Sequence, residues 1–71
     1  MRIYEVALWL RFQGDEIPYS SERVEACSSF EAVLLFMQQC GVKRVAYAAV
    51  CSLVDGCIDR WVVGRGFWMR W

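Results

Sequence analysis

The sequence predicts an α+β domain: one helix packed on one face of an antiparallel sheet of four to five strands, in the order β-β-α-β-β-β. Three observations carry this expectation. Residues 4–13 alternate with period two, the pattern of a half-buried strand. Ser28-Ser29-Phe30-Glu31 opens an apolar stripe at helical spacing that stops at Gly41. The last third is rich in Val, Ala, Tyr and Trp and carries two hairpin-type turns, Asp55-Gly56 and Gly64-Arg65-Gly66.

In the first strand Tyr4, Val6, Leu8, Leu10 and Phe12 point inward, and Glu5, Ala7, Trp9, Arg11 and Gln13 point outward. Gly14-Asp15-Glu16 ends it, and Pro18 keeps the next residues irregular. A short strand follows over about Glu22–Cys27, with Val24 and Ala26 inward. The helix then starts in a capping box: Ser28 accepts from the Glu31 amide, and Glu31 reaches back to the Ser28 amide. It runs to Cys40, and Gly41 supplies the left-handed stop. Phe30, Val33, Leu34, Met37 and Cys40 form one stripe, widened by Ala32 and Phe36. Leu35 falls among the wet residues Glu31, Gln38 and Gln39, so the segment reads as a core helix with one stray leucine, a second contact for the helix being the alternative.

The rest reads as sheet. A two-residue turn at Asp55-Gly56 pairs Val54 with Cys57, Leu53 with Ile58, Cys51 with Arg60 and Val50 with Trp61. Val45, Tyr47, Ala49, Cys51, Leu53, Ile58 and Val62 then share one face, taken as the core side. Arg44, Ala46, Ala48, Val50, Ser52, Asp59 and Trp61 share the other. A second turn centred on Gly64-Arg65 sets Trp61 opposite Trp68 and Asp59 opposite Arg70. Centring it on Arg65-Gly66 loses both pairs but keeps the faces, with Phe67, Met69 and Trp71 inward and Trp68 and Arg70 outward.

At 71 residues the chain forms a single domain over 1–71. Its apolar fraction of 58% exceeds the roughly 45–50% usual for soluble domains, and a chain this size buries only about 60% of the surface it exposes unfolded. The surplus points to self-association or a sticky functional face. The longest apolar run, Val45–Cys51, falls short of the roughly 20 residues of a spanning helix, and the first residues lack a signal-peptide core. The chain is therefore expected in the cytoplasm, of a bacterium or of an infected host cell, and not at a membrane. Net charge is zero, yet residues 1–42 sum to −3 and residues 43–71 to +3, an asymmetry able to orient a charged partner.

Catalysis is not expected. There is no histidine, so the usual general acid–base group and any Ser-His or Cys-His pair are missing. Cys27, Cys40, Cys51 and Cys57 contain no closely spaced pair, which argues against zinc. Without a secretory signal they read as small buried hydrophobes and not as disulfides. No glycine-rich phosphate loop is present, and no cofactor is implied. The expected site is a partner-binding face built from Trp61, Trp68, Arg70, Arg65 and Trp9, since Trp and Arg are enriched at binding hot spots. A sheet face of aromatics flanked by arginines could also stack single-stranded nucleic acid, but the neutral charge disfavours it. A homodimer meeting through the same faces is the third arrangement.

Arg23-Val24-Glu25-Ala26-Cys27-Ser28-Ser29-Phe30-Glu31-Ala32, followed by the Val54-Asp55-Gly56 hairpin and the late Trp61, Phe67, Trp68 and Trp71, resembles small phage and mobile-element proteins. Some anti-CRISPR proteins are similar in size and in element order. The likeness spans residues 23–71 as architecture and carries over no functional residue, because Ser28 and Glu31 have structural roles. It implies a non-enzymatic inhibitor that docks on a host protein or ribonucleoprotein complex and blocks its nucleic-acid or effector site. Many anti-CRISPR proteins are strongly acidic, and the neutrality here departs from DNA mimicry.

Overall fold

The computed structural model describes residues 1–10, 19–42, 44–64 and 66–70. It contains β1 (Arg2–Trp9), β2 (Ser20–Ala26), α1 (Ser29–Cys40), β3 (Tyr47–Ser52), β4 (Ile58–Gly64) and β5 (Phe67–Arg70). The strands form one antiparallel sheet in the order β2-β1-β3-β4-β5. This is the expected β-β-α-β-β-β domain, with five strands. Because β2 and β3 both run antiparallel to the β1 between them, they run parallel to each other. Parallel strands need a long crossover, and α1 is that crossover, lying across β2, β1 and β3.

The first half folds largely as its pattern dictates, except that Leu10, expected inward, is exposed, and Phe12 lies outside the described residues. Tyr4, Val6 and Leu8 of β1 are buried, as are Val24 and Ala26 of β2. Ser28 caps α1: its hydroxyl accepts from the Glu31 amide at 3.2 Å, and the Glu31 carboxylate accepts from the Cys27 amide at 3.3 Å. Glu31 therefore reaches one residue further back than the capping box predicts. Gly41 ends the helix at φ 69°, a left-handed conformation that costs glycine little. Ala32, Val33 and Phe36 are the helix residues buried in the core. Leu34, expected in the stripe, is exposed instead.

The second half differs in one decisive respect. Within the β3–β4 hairpin the faces are as expected, but α1 covers the opposite one. Ala48 and Val50 are fully buried and Ser52 nearly so, whereas Tyr47, Ala49 and Cys51 lie on the uncovered side. Trp61 and Trp68 pack against the core. Phe30 of α1 stands 4.9 Å from the Trp61 ring and 6.2 Å from that of Trp68, centroid to centroid. The physical reason is steric. Ala26 and Ala48 are small, so the helix can sit close to the strands and fill the space with Val33 and Phe36. The helix spans only three strands, and the two indoles with Phe30 complete the layer over β4 and β5.

Both turns are longer or shifted relative to expectation. Ser52 donates to the Cys57 carbonyl at 2.9 Å and Gly56 donates to the Ser52 carbonyl at 2.8 Å. Together they close a four-residue loop in which the Asp55 carboxylate accepts from the Cys57 amide at 3.0 Å. The hairpin therefore pairs Cys51 with Ile58, Ala49 with Arg60 and Ala48 with Trp61, two residues from the expected register. A slide of two keeps every side chain on its face. The second hairpin takes the shifted of the two expected registers: Gly64 faces Phe67, Val62 faces Met69 and Trp61 faces Arg70, with Gly66 at φ 87°. Phe67 and Met69, expected inward, are exposed. All four cysteines are free, but Cys27 and Cys57 are exposed and not buried.

Candidate functional site

The candidate site is the sheet face that α1 leaves uncovered. Its centre is a cross-strand row: Trp9 of β1 pairs with Tyr47 of β3, Tyr47 with Val62 of β4, and Val62 with Met69 of β5. Strand alternation puts all four side chains on one side. The Trp9 and Tyr47 rings are tilted by 46° with centroids 5.0 Å apart, a favourable aromatic geometry. Beyond Met69, Phe67 lies opposite Gly64. A Cβ on Gly64 would come within 2.5 Å of the Met69 terminal methyl, so the glycine gives the methionine room to lie flat on the sheet. On the other side of the row, Ala7 and Ala49 lead to Ile58, Ile3 and Leu53.

Much of this apolar surface is in contact with water. Phe67 is 57% exposed, Ile58 54% and Ile3 48%, values far outside the range of a packed interior. Four charged side chains punctuate the face: Glu5, Arg23, Glu25 and Arg60, all exposed. Their charges cancel. An extended apolar patch rimmed by a few balanced charges suits a protein surface. It does not supply the phosphate-neutralising excess of a nucleic-acid site.

The expected site residues do not form one surface. Trp9 lies on the uncovered face as expected. Trp61, Trp68 and Arg70 lie on the helix side, so the expected aromatic–arginine face shared with Trp9 does not form. Arg65 falls outside the described residues. On the helix side Arg70 pairs with Asp59, diagonally and not directly opposite, and its guanidinium carbon sits 5.6 Å from the Trp61 ring centre, within cation–π range. Hydrogen bonds from the Ser29 hydroxyl and then from Arg70 hold the Asp59 carboxyl below the usual carboxylate range. These contacts tie the β4–β5 hairpin to the start of α1, which is a structural role. Sequence reasoning missed Tyr47, Val62, Phe67 and Met69 as surface groups. Alternation grouped all four on one face but assigned that face to the core.

Cys57 is exposed, yet the Asp55 charge pushes its thiol up and away from the reactive thiolate. Among the described residues, no three His, Cys, Asp or Glu side chains gather to hold a metal. No helix among them is long and apolar enough to cross a membrane. A hollow of about 430 Å³ opens near the end of α1, lined mainly by Leu10, Met37, Val45, Val63, Phe67 and Trp68. Its walls are apolar apart from Arg44 at one side.

The chain matches no protein-family model, no curated protein and no solved structure.

Proposed function

We propose that this chain is a non-enzymatic protein-binding inhibitor, phage-encoded and of the anti-CRISPR kind, which docks on a host defence complex in the bacterial cytoplasm and blocks its nucleic-acid or effector site. One observation carries the reading: the uncovered sheet face presents Trp9, Tyr47, Val62, Met69 and Phe67 as a continuous apolar strip across four strands. Trp9 and Tyr47 stack on each other within the strip, but Phe67 and Met69 remain exposed at its end, and exposed apolar surface of this kind is the usual mark of a partner surface. The balanced charges on that face make apolar docking the mode, in place of electrostatic mimicry of DNA.

The test is plaque formation by a targeted phage on hosts carrying an active CRISPR system. Expression of the chain is expected to restore plaques. Trp9→Ala combined with Met69→Lys is expected to abolish that restoration while the thermal transition persists. Loss of one hot-spot contact of about 2 kcal/mol already weakens binding roughly thirtyfold. Absence of any protection by the unaltered chain, or full protection by the double variant, would refute the reading. A gel shift with single-stranded RNA and DNA at two salt concentrations tests the nucleic-acid alternative, for which salt-sensitive binding is the signature.

A further inference from the structure

The sheet has two edges, and they differ. β5 offers four residues, whereas β2 offers seven. Among the described residues no strand pairs with the outer side of β2. Its backbone orientation follows from one hydrogen bond. The Leu53 amide donates to the Ile3 carbonyl at 3.1 Å, so the odd-numbered residues of β1 direct their backbone groups toward β3 and the even-numbered ones toward β2. Tyr4 lies opposite Val24 and Val6 opposite Glu22. The even-numbered residues of β2 are therefore engaged with β1, and the N–H and C=O groups of Ser21, Arg23 and Glu25 point outward.

Natural edge strands are usually guarded by charges that repel a second strand. The charges of β2 do the opposite in one register. A two-fold antiparallel pairing of β2 with its copy must set outward residues opposite outward residues. Centred on Arg23, it places two guanidinium groups face to face. Centred on Glu22 or Glu25, it places two carboxylates face to face. Centred on Val24, it places Arg23 of each copy opposite Glu25 of the other, twice over. Within its own sheet Glu25 lies opposite Ile3, so no cation faces it across β1. A shallow hollow of about 280 Å³, bordered by Ile3, Arg23, Glu25 and Leu53, lies beside this stretch.

We infer that two copies of this chain join edge to edge through β2, centred on Val24, to form one continuous sheet with reciprocal Arg23–Glu25 pairs. The helix supplies a second contact. Phe30 marks the flank of α1 that faces β4 and β5, through Trp61 and Trp68. Leu35 lies on the opposite flank, over the β2 side, and is only partly buried. Edge pairing brings the Leu35 flanks of the two helices toward each other, which accounts for a leucine among polar neighbours. The uncovered face is left free in this arrangement and is doubled in extent, so the inference stands whether or not the proposed inhibitory role does.

Charge reversal and charge swap test it, with mass measured by light scattering after gel filtration at about 100 μM, well above a micromolar dissociation constant. The unaltered chain is expected to run as a dimer. Arg23→Glu or Glu25→Arg alone turns two attractive cross-strand pairs repulsive and is expected to weaken the dimer about tenfold or more. The double variant R23E/E25R, made together with Glu5→Arg so that residue 23 keeps an opposite charge facing it across β1, restores the pairing with signs exchanged and is expected to recover the dimer. Both positions are exposed, and circular dichroism checks that each variant keeps its fold. A monomeric unaltered chain, single reversals without effect, or a double variant that stays monomeric would overturn the inference. So would a dimer broken by Met69→Lys and untouched by Arg23→Glu, because that dimer would use the uncovered face.

Discussion

Ala48 and Ala49 are adjacent, chemically identical and on opposite faces of β3, so the same substitution at each reports which face the helix covers. Ala48 is fully buried, flanked by Leu8 and Trp61 across the neighbouring strands. Leucine there adds three carbons to space already filled by the helix. Overpacking of this kind costs about 1–3 kcal/mol. Ala49 is flanked by Ala7 and Arg60 on the uncovered face, where a larger apolar side chain has room. Its cost is expected within about 0.5 kcal/mol. For a domain of this length, 1 kcal/mol moves the midpoint by about 4–8 °C. Ala48→Leu is therefore expected to lower Tm by about 4–24 °C, and Ala49→Leu by less than about 4 °C. The total stability of about 4–10 kcal/mol expected for a chain this size keeps both variants folded at room temperature. Thermal unfolding followed by far-ultraviolet circular dichroism makes the comparison. An Ala49→Leu variant less stable than Ala48→Leu would mean that α1 lies on the other face, and the candidate site would fall with it.

Ser28→Ala removes the acceptor of the Glu31 amide and is expected to cost about 1 kcal/mol, measured as a shift in urea midpoint at unchanged slope. Asp59 links stability to acid. Its folded carboxyl is held below the ordinary value of 3.8, so its contribution is complete above that pH and is lost as the pH falls through the lower folded value. Arg70 is 64% exposed and Asp59 27%, which limits the contribution to about 0.2–1 kcal/mol. Asp59→Asn is expected to flatten this part of the acid limb below about pH 4, and denaturation across pH 2–5 (roughly that acid window) checks it. An unchanged acid limb would show that the Ser29 and Arg70 contacts contribute nothing.

Local chemistry was legible in the sequence, and long-range choice was not. The Ser28 cap, the Gly41 stop and the inward sets Tyr4-Val6-Leu8 and Val24-Ala26 rest on neighbours a few residues apart, and each stands in the fold. Alternation also grouped Tyr47, Ala49, Cys51, Ile58 and Val62 correctly. It could not say which group meets α1, because that depends on how β3 registers against β1, and no nearby residue encodes it. Both faces of β3 are apolar, so hydropathy did not break the tie. Bulk pointed the wrong way, since the helix needed the smaller Ala48 beneath it. The candidate site follows the same choice: Trp9, on β1, lies on the uncovered face, whereas Trp61 and Trp68 lie partly buried on the helix side with their hairpin.

β1 is an interior strand between β2 and β3, although these two neighbours stand on either side of α1 in the chain. One of its sides pairs with β2, the next strand in the chain. The other must wait for Tyr47–Ser52 to return from the far end of the helix, and closing so long a loop is entropically costly. Nonlocal pairing of this kind slows folding toward milliseconds or longer. During that delay Val6, Leu8 and Phe36 have no floor to rest on, and they are open to whatever apolar segment arrives first. For this molecule, reaching the native state without clumping depends on how quickly β3 finds β1.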